Sequence, residues 1–522
     1  MSKHIPVIII TLPLLFAFVL PVLGFAGAGP RVRNFLVTAV FIAVNIMIFS
    51  LIPSVSLDGG IIYYALGAID PTVATPEGLD FPVRILLKID GFSLFIAIII
   101  GIVSLTSYIY STGFIEEDGK TNYFAVIFML LTAGLLGMTF TNDLFNFFVF
   151  LEVASIAGAT LTSYVTWKKH PPYAGFKYLL ISSIATTFFL LGVGLCYAQY
   201  GSFNIEYINL SLSHSLLDRI ALVFMISAMA MKAGAVPMHI WVPDTYSEAP
   251  TPVTVMLKTA GIVCLYALFR ISFSLFGNPL SGIVNSINNT TLGWIVIILG
   301  VFSMFIGVSM ALIQHDVKRL MAFHSVSQVG YMLLGLGVGI AVYTNNDNGQ
   351  AFQIFGKVAM AGGIFHIMNN AFYKSLLFLT AGVMEKRFGT RNLDSMIGLA
   401  HKDLFTTIAF VIGALAISGI PPFNGFASKL LIYESVYMFS PMLSIIAMFV
   451  SVLTLASFMK VFYSSFLGPR REDLIVNDKK IPLGMTIGML VLCVLVVLMG
   501  LFPDIVINNL VEPAISGLVN LK

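Results

Sequence analysis

Residues 219–241 read Arg219-Ile-Ala-Leu-Val-Phe-Met-Ile-Ser-Ala-Met-Ala-Met-Lys-Ala-Gly-Ala-Val-Pro-Met-His-Ile-Trp241. A helix of that length covers roughly 35 Å, enough for the ~30 Å hydrocarbon core of a bilayer. Lys232 lies near its middle. Either end is about ten residues away, roughly 15 Å along the axis, and a lysine stem reaches less than half of that, so it cannot snorkel to the surface. A charge at the centre of a lone helix costs ~2.5–3.5 kcal/mol on insertion scales. A chain that keeps one must bury it among other helices. The stretch therefore sets the class: an all-α, multi-pass membrane protein with ionisable groups inside.

The composition agrees. The chain has 522 residues, 58% hydrophobic and 10% charged, with a mean hydropathy of +0.94. A soluble domain is ~25% charged. A net charge of +3, with no basic run longer than Lys168-Lys169, excludes nucleic-acid binding as the main task. Cys196, Cys264 and Cys493 stand alone without a CxxC pair, so iron–sulfur, zinc-ribbon and disulfide readings fail together. No nucleotide loop, zinc motif or nucleophile–base set is present. Neither a metal, a cofactor nor a catalytic site of its own is expected. The N-terminal run Ile5–Phe25 exceeds the ~7–15 residues of a signal-peptide core and reads as the first span.

Apolar runs between polar breaks predict fourteen spans: 5–27, 35–52, 91–112, 123–141, 144–167, 174–200, 219–241, 250–276, 292–313, 317–342, 352–384, 404–437, 441–467 and 483–510. Of 28 Lys and Arg, sixteen fall in the loops after odd-numbered spans, among them Arg31, Arg33, Lys120, Lys318, Arg391 and Arg470. Only six fall on the other side (Lys3, Arg84, Lys88, Arg219, Arg270 and Lys522). The positive-inside rule makes the odd loops cytoplasmic and puts both termini outside. The longest outer loop, about Pro53 to Asp90, contains Gly59-Gly60 and is expected to fold back as a small hairpin.

The six basic residues left over are all lysines within or at the ends of spans: Lys232, Lys258, Lys357, Lys374, Lys429 and Lys460. Glu152 and Glu434 also lie within spans, and Asp143 stands at the mouth of span 5. Glu152 is read as the only acid buried in the first half of the chain, hence the natural partner of Lys232. The competing reading of that pair is a structural ion pair. Lys258 follows eight residues after Pro250, deep enough to need company. Lys429 belongs to span 12, whose 34 residues would reach roughly 50 Å if continuous. Pro421-Pro422 should break it and free backbone groups that must face a cavity or protein. Glu434 is either its partner or a portal. His324 sits in the polar run His-Ser-Val-Ser-Gln328, which can equally be an interhelical hydrogen-bond cluster. His366 and Lys374 are two turns apart on one face, with Asn370 between them. Lys357 and Lys460 lie near span ends, where snorkelling is cheap; Lys460 is the better exception, as a second-half counterpart of Lys258.

Lysine cannot ligate Na⁺ or K⁺, which take oxygen donors. It can hold or release a proton, and a moving carboxylate changes which. Ionisable groups spread over spans 5, 7, 8, 10, 11 and 12 suit a proton path. Pro237 interrupts span 7 as Pro421-Pro422 interrupts span 12. Two charge-plus-break spans five apart predict two inverted repeats, spans 4–8 and 9–13. The expected divisions are 1–122 (spans 1–3 and outer loop), 123–276 (first repeat), 277–467 (second repeat) and 468–522 (span 14).

Lys232-Ala-Gly-Ala-Val-Pro-Met-His-Ile-Trp-Val-Pro-Asp244, followed by Glu248-Ala-Pro-Thr-Pro-Val253, resembles the helix 7–8 signature of the proton-conducting antiporter-like subunits. These occur in respiratory complex I, Mrp-type Na⁺/H⁺ antiporters and related membrane-bound hydrogenases. Asp316 to Met332, Ala371-Phe-Tyr-Lys-Ser-Leu-Leu-Phe-Leu379 and Gly419-Ile-Pro-Pro-Phe-Asn-Gly-Phe-Ala-Ser-Lys429 are similar to the family's helices 10, 11 and 12. The resemblance implies that Glu152 and Lys232 are the paired helix 5 and helix 7 residues. By the same resemblance Lys258 is the connecting residue, His366 and Lys374 the bridge, and Lys429 the exit residue. Many members carry His at the position of Asn370, and several at that of Lys258. Asn cannot titrate, so the link there runs through water or through His366. The end at Lys522, soon after span 14, favours an Mrp D-like subunit, or its counterpart in an archaeal hydrogenase or sulfane-sulfur reductase complex, over the distal complex I subunit.

The expected function is proton translocation within a multisubunit complex in the plasma membrane, with H⁺ as cargo and Na⁺ exchange left open. The partners are other membrane subunits and the lipid bilayer. The rivals are a self-sufficient Na⁺/H⁺ antiporter, which wants a carboxylate-rich site, and a scaffold for a quinone-reducing enzyme, in which the buried lysines would be silent. An organic-solute carrier would want mid-span Arg, and none is present.

Overall fold

Backbone that crosses lipid must satisfy its own hydrogen bonds, so apolar runs of this length become helices. The computed structural model describes residues 4–68, 74–76, 79, 81–115, 121–166, 168–277, 289–343, 350–469 and 480–519. Lys3, Lys120, Arg470, Arg471, Lys479 and Lys522, counted above for orientation, lie outside the described residues. The first half runs α1 (Ile5–Phe25), α2 (Pro30–Ser50), α3 (Gly91–Phe114), α4 (Thr121–Phe140), α5 (Leu144–Thr162), α6 (His170–Tyr200), α7 (Ile205–Ser211), α8 (Leu216–Ala233), α9 (Val242–Glu248) and α10 (Thr251–Arg270). The second runs α11 (Asn289–Leu312), α12 (Val317–Val342), α13 (Lys357–Phe388), α14 (Leu404–Ser418), α15 (Asn424–Phe439), α16 (Pro441–Val461), α17 (Leu483–Leu501), α18 (Pro503–Val506) and α19 (Glu512–Val519).

Twelve helices among the described residues are long and apolar enough to cross a membrane. The other two predicted spans take different forms. Residues 352–384 fall largely on α13, a 32-residue helix whose Lys357, Lys374, Glu385, Lys386 and Arg387 dilute its apolarity. Residues 404–437 are divided between α14, of 15 residues, and α15, of 16. Each is shorter than the ~20 residues a crossing needs. The stretch 219–241 is divided too: α8 ends at Ala233, and Gly234 caps it with φ +79°. Lys232 is thus in the last turn of α8 rather than mid-helix.

Burial separates centre from periphery. The most apolar eighteen-residue stretch is wholly buried in α10 and 94% buried in α12, against 28% in α1. A helix apolar on all sides belongs in the core, and one with an open face belongs at the edge. α3, α10, α12 and α13 form the centre; α1, α2, α5, α6, α11, α16 and α17 keep exposed apolar faces. Within the loop between α2 and α3, β1 (Ile62–Ala65) pairs antiparallel with β2 (Leu86–Ile89), with Ile62 opposite Ile89. Asp90 follows directly and caps α3, accepting from the amides of Phe92 and Ser93.

Two joints match residue for residue. Asp143 caps α5 and bridges to Asn204. Asp316 caps α12 and bridges to Asn392. In the first, Ile205 N donates to Asn142 O at 3.0 Å and Leu144 N to Phe203 O at 2.9 Å. In the second, Leu393 N donates to His315 O at 2.8 Å and Val317 N to Arg391 O at 3.0 Å. Each joint ties a helix start to a chain segment about 60–75 residues downstream through the same pair of backbone bonds. An aspartate cap satisfies the helix's orphan amides in both.

Candidate functional site

In the first half, Lys232 Nζ donates to Ser155 Oγ on α5, and Ser155 in turn donates to Leu151 O at 2.5 Å. Lys232 is 6% exposed. Its helix ends one residue later, and a basic residue in a helix's last turn is favoured by the helix dipole. The turn that follows is satisfied: Trp241 Nε1 donates to Met231 O at 3.0 Å, and Val236 N to Ser303 Oγ at 3.0 Å.

Glu152 is one turn from Ser155 on the same face of α5, but it does not touch Lys232. No Glu152 oxygen lies within 4.0 Å of the Nζ. It is also partly exposed, because α5 is peripheral and the neighbouring Val149 and Ile156 are 41% and 56% exposed. Nor is it the one buried acid of this half. Asp90, Asp143 and Asp218 are all more deeply buried, each held by the amides of a helix start. The sequence places Asp143 at the mouth of span 5, but it does not show the burial of Asp90 and Asp218, because hydropathy does not register capping.

The central helices hold the next groups. Lys258, on α10, donates to Asn370 O on α13. Lys374, on α13, donates to Met321 O on α12 at 2.5 Å and lies 5.5 Å from the Phe378 ring centroid. His366 is fully buried. Its Nδ1 meets Ser428 Oγ at 3.0 Å, and its Nε2 meets Gln328 Oε1 at 3.1 Å and Tyr373 Oη at 3.3 Å. His324 meets Ser457 Oγ at 2.8 Å through Nε2 but shares no hydrogen bond with this cluster, and its Nδ1 has no hydrogen-bond partner among the described residues.

Lys429 follows the gap between α14 and α15. Its Nζ donates to Ile417 O at 2.8 Å and Ser451 Oγ at 2.7 Å, and lies 4.6 Å from the Tyr331 ring centroid. Ile417 O is one of the last carbonyls of α14, left free by the helix end. Tyr331 also packs 5.6 Å from the His366 ring, and Ser428 adjoins Lys429, so Lys429 and His366 share one polar cluster. Glu434 does not join it. It is exposed on the outer flank of α15, and five residues of helix turn it about 140° away from Lys429. Lys357 pairs with Glu512 at 2.6 Å, and Lys460 caps the end of α11 through Leu312 O and Gln314 O at 3.1 and 2.9 Å. Both are accounted for by structure.

Lys232, Lys258, Lys374 and Lys429 share one property. Among the described residues, each is held by carbonyl or hydroxyl oxygens and none by a carboxylate within 4.0 Å. Neutral acceptors hold an ammonium or a neutral amine with little change of geometry, so a proton can arrive or leave without an ion pair having to break. The hydroxyls of Ser155, Tyr331, Tyr373, Ser428, Ser451 and Ser457 were not singled out from the sequence. Ser155 could have been, standing three residues from Glu152 on one helix face. The rest are brought in by tertiary packing.

A cavity of about 270 Å³ opens beside Lys88 and Arg270, between α5, α6, α7, α10 and α19, away from the lysines. Cavities of about 10 Å³ lie at Lys232 and at Lys258.

Comparison with known proteins adds the lineage. The family described as "NADH:quinone oxidoreductase/Mrp antiporter, TM" matches residues 141–454, and "NADH-Ubiquinone oxidoreductase (complex I), chain 5 N-terminus" matches residues 77–125. NADH-quinone oxidoreductase subunit N of Desulforudis audaxviator is 30% identical over 99% of both chains. A chain of the Mrp complex from Dietzia sp. DQ12-45-1b superposes with a TM-score of 0.83 at 25% identity, covering 99% of this chain and 98% of its own. A chain of the membrane-bound sulfane sulfur reductase, an archaeal respiratory membrane complex, gives 0.83 at 26% identity with the same coverage. The chain belongs to the membrane-subunit family shared by NADH:quinone oxidoreductases and Mrp antiporters. It is a multi-pass, antiporter-like membrane subunit.

Proposed function

We propose that this subunit translocates protons through a buried path from Glu152 by way of Ser155 to Lys232, then to Lys258, across the His366–Lys374 region, and out by Lys429. The observation that carries the reading is the set of four lysines inside the helix bundle, each on neutral oxygens. Such placement is costly for fold stability alone and suits groups that change protonation. His324 belongs at the margin of the path, and exposed Glu434 at a portal. Na⁺ exchange stays open.

The matched joints at Asp143 and Asp316 support two inverted repeats, 123–276 and 277–467, flanked by 1–122 and 468–522. One joint falls on the predicted outer side and the other on the cytoplasmic side, as inversion requires. On this reading α13 and the α14–α15 pair complete fourteen crossings, and both termini face outward. The host is a multisubunit complex in the plasma membrane, as the sulfane sulfur reductase and Mrp relatives suggest.

The test uses everted vesicles carrying the full chain in its complex, with acidification followed by a pH-sensitive dye. Lys232→Ala is expected to cut the initial rate by about a hundredfold, the scale of losing one acid–base group, at unchanged assembly. Wild-type rates in assembled Lys232→Ala and Lys429→Ala complexes would overturn the proposal.

A further inference from the structure

Among the described residues, no hydrogen bond connects Lys232 to Lys258. Both lie beside α10, and neither donates to the other or to a shared side chain. Two small cavities lie beside them, one lined by each lysine. The first, about 10 Å³, is lined by Ser155, Tyr178 and Lys232. The second, also about 10 Å³, is lined by Tyr246, Lys258, Ser325 and Asn370. That volume is about the least that holds one water, which also needs two to four polar partners. Each cavity offers three or four. Asn370 supplies a further sign: it is 2% exposed, and its Oδ1 accepts no hydrogen bond from any described residue. A buried, unpartnered amide oxygen on a residue that lines a water-sized polar cavity is an acceptor that a water can satisfy.

Gly261 is the one residue, among those described, that lines both cavities. It follows Lys258 by three residues on α10, so the two share a helix face. A Cβ built there would meet Tyr246 Oη at 3.6 Å, Ala233 O at 3.8 Å and Lys232 O at 3.9 Å. These are ordinary contacts. No clash requires glycine, and a helix interior favours alanine over glycine. Because Gly261 borders both polar spaces, a methyl there nonetheless adds bulk where they meet the same residue.

We propose that Gly261 is a positioning residue: its missing side chain keeps two single-water chambers continuous, so that water joins Lys232 to Lys258. A proton leaving the Lys232 ammonium is taken by the first water, which passes one of its own to the second, and the second protonates a neutral Lys258 amine. Charge and atoms are conserved, and Asn370 orients the second water without titrating. The inference rests on the proton-path reading above.

The experiment compares Gly261→Ala, Gly261→Ser and Lys232→Ala in everted vesicles carrying the intact complex, with chain abundance measured alongside. Gly261→Ala is expected to assemble normally and to lose about tenfold in initial rate, with a larger solvent deuterium effect, because a proton-relay step now limits. Gly261→Ser, whose hydroxyl can stand in for a water, should recover most of the rate. A wild-type rate for Gly261→Ala while Lys232→Ala is inactive would overturn this inference alone. A wild-type rate for Lys232→Ala would overturn the proton path beneath it. Failure of Gly261→Ala to accumulate, or equal loss in Ala and Ser, would also overturn it, since both contradict a methyl-sized space that only interrupts water.

Discussion

At Ser155 a single hydroxyl decides how a buried lysine is held. Its Oγ accepts from Lys232 and donates to Leu151 O, so the ammonium has an oxygen partner although Glu152 is not in contact. Leaving a buried donor unsatisfied costs ~1–3 kcal/mol. Ser155→Ala should therefore slow proton uptake by about tenfold, which corresponds to ~1.4 kcal/mol, while Ser155→Thr keeps the hydroxyl and most of the rate. Equal rates in Ala and wild type would assign Lys232 another partner. The sequence showed that Lys232 and Glu152 both lay in apolar helices, but not that a serine, rather than the glutamate, would accept from the lysine. Hydropathy reports how apolar a segment is; it does not report which side chain three residues away turns toward which neighbour. The same blindness made Lys429 and Glu434 look like a pair.

Among elements, α14 ends before α15 begins, and Ile417 O near the end of α14 accepts from Lys429. The close return of the chain is enforced at Gly425, where a Cβ would lie 1.8 Å from Ala416 O, with no flexible atom to yield. Gly425→Ala must push α15 off α14, and a large drop in melting temperature or in membrane abundance is the expected result. Gly194, on α6, makes the contrast, since nothing lies within 4 Å of its missing Cβ. Gly194→Ala should be neutral or raise stability by ~0.5–1 kcal/mol through helix propensity. Thermal unfolding of the detergent-solubilised complex reads both. Pro421-Pro422 marked the gap in the sequence; the required closeness at Gly425 did not show, because a glycine in a helix has many uses and its neighbour is known only once α14 and α15 pack.

For the molecule as a whole, a charged knot beside the β1–β2 pair ties four distant segments together. Asp90, at the start of α3, pairs with Arg270 of α10 and lies 3.8 Å from Lys88 of β2. Lys88 reaches Glu206 of α7 at 2.7 Å, and Tyr63 of β1 donates to the same carboxylate at 3.0 Å. Burial by itself would raise the Asp90 carboxyl, but Arg270 and then Lys88 outweigh it and hold the group below its ordinary 3.8. A carboxyl depressed in the folded state stabilises fully above the unfolded value, and that stability is lost as pH falls through the folded one. The contribution of the Asp90 pairing should be fully present above 3.8 and weaken progressively below it. Hydrogen exchange at β2 and the start of α3, followed from neutral pH downward, measures this. Protection lost well above that value would assign acid sensitivity to another group.

What the sequence determined by itself was everything that depends on local composition. A 10% charged chain of 522 residues has to be helical in a membrane, and lysines in apolar runs have to be inside it, because lipid offers backbone and charge no alternative. The motifs around Lys232, Lys374 and Lys429 carried the family as well. Only the tertiary structure decided which oxygen holds each group. Lys374 finds Met321 O 53 residues away, Lys258 finds Asn370 O across 112, and His324 finds Ser457 across 133. Backbone carbonyls are present at every residue, so no residue type signals which one will accept. That choice follows from how α10, α12 and α13 pack, and with it the spaces beside Gly261.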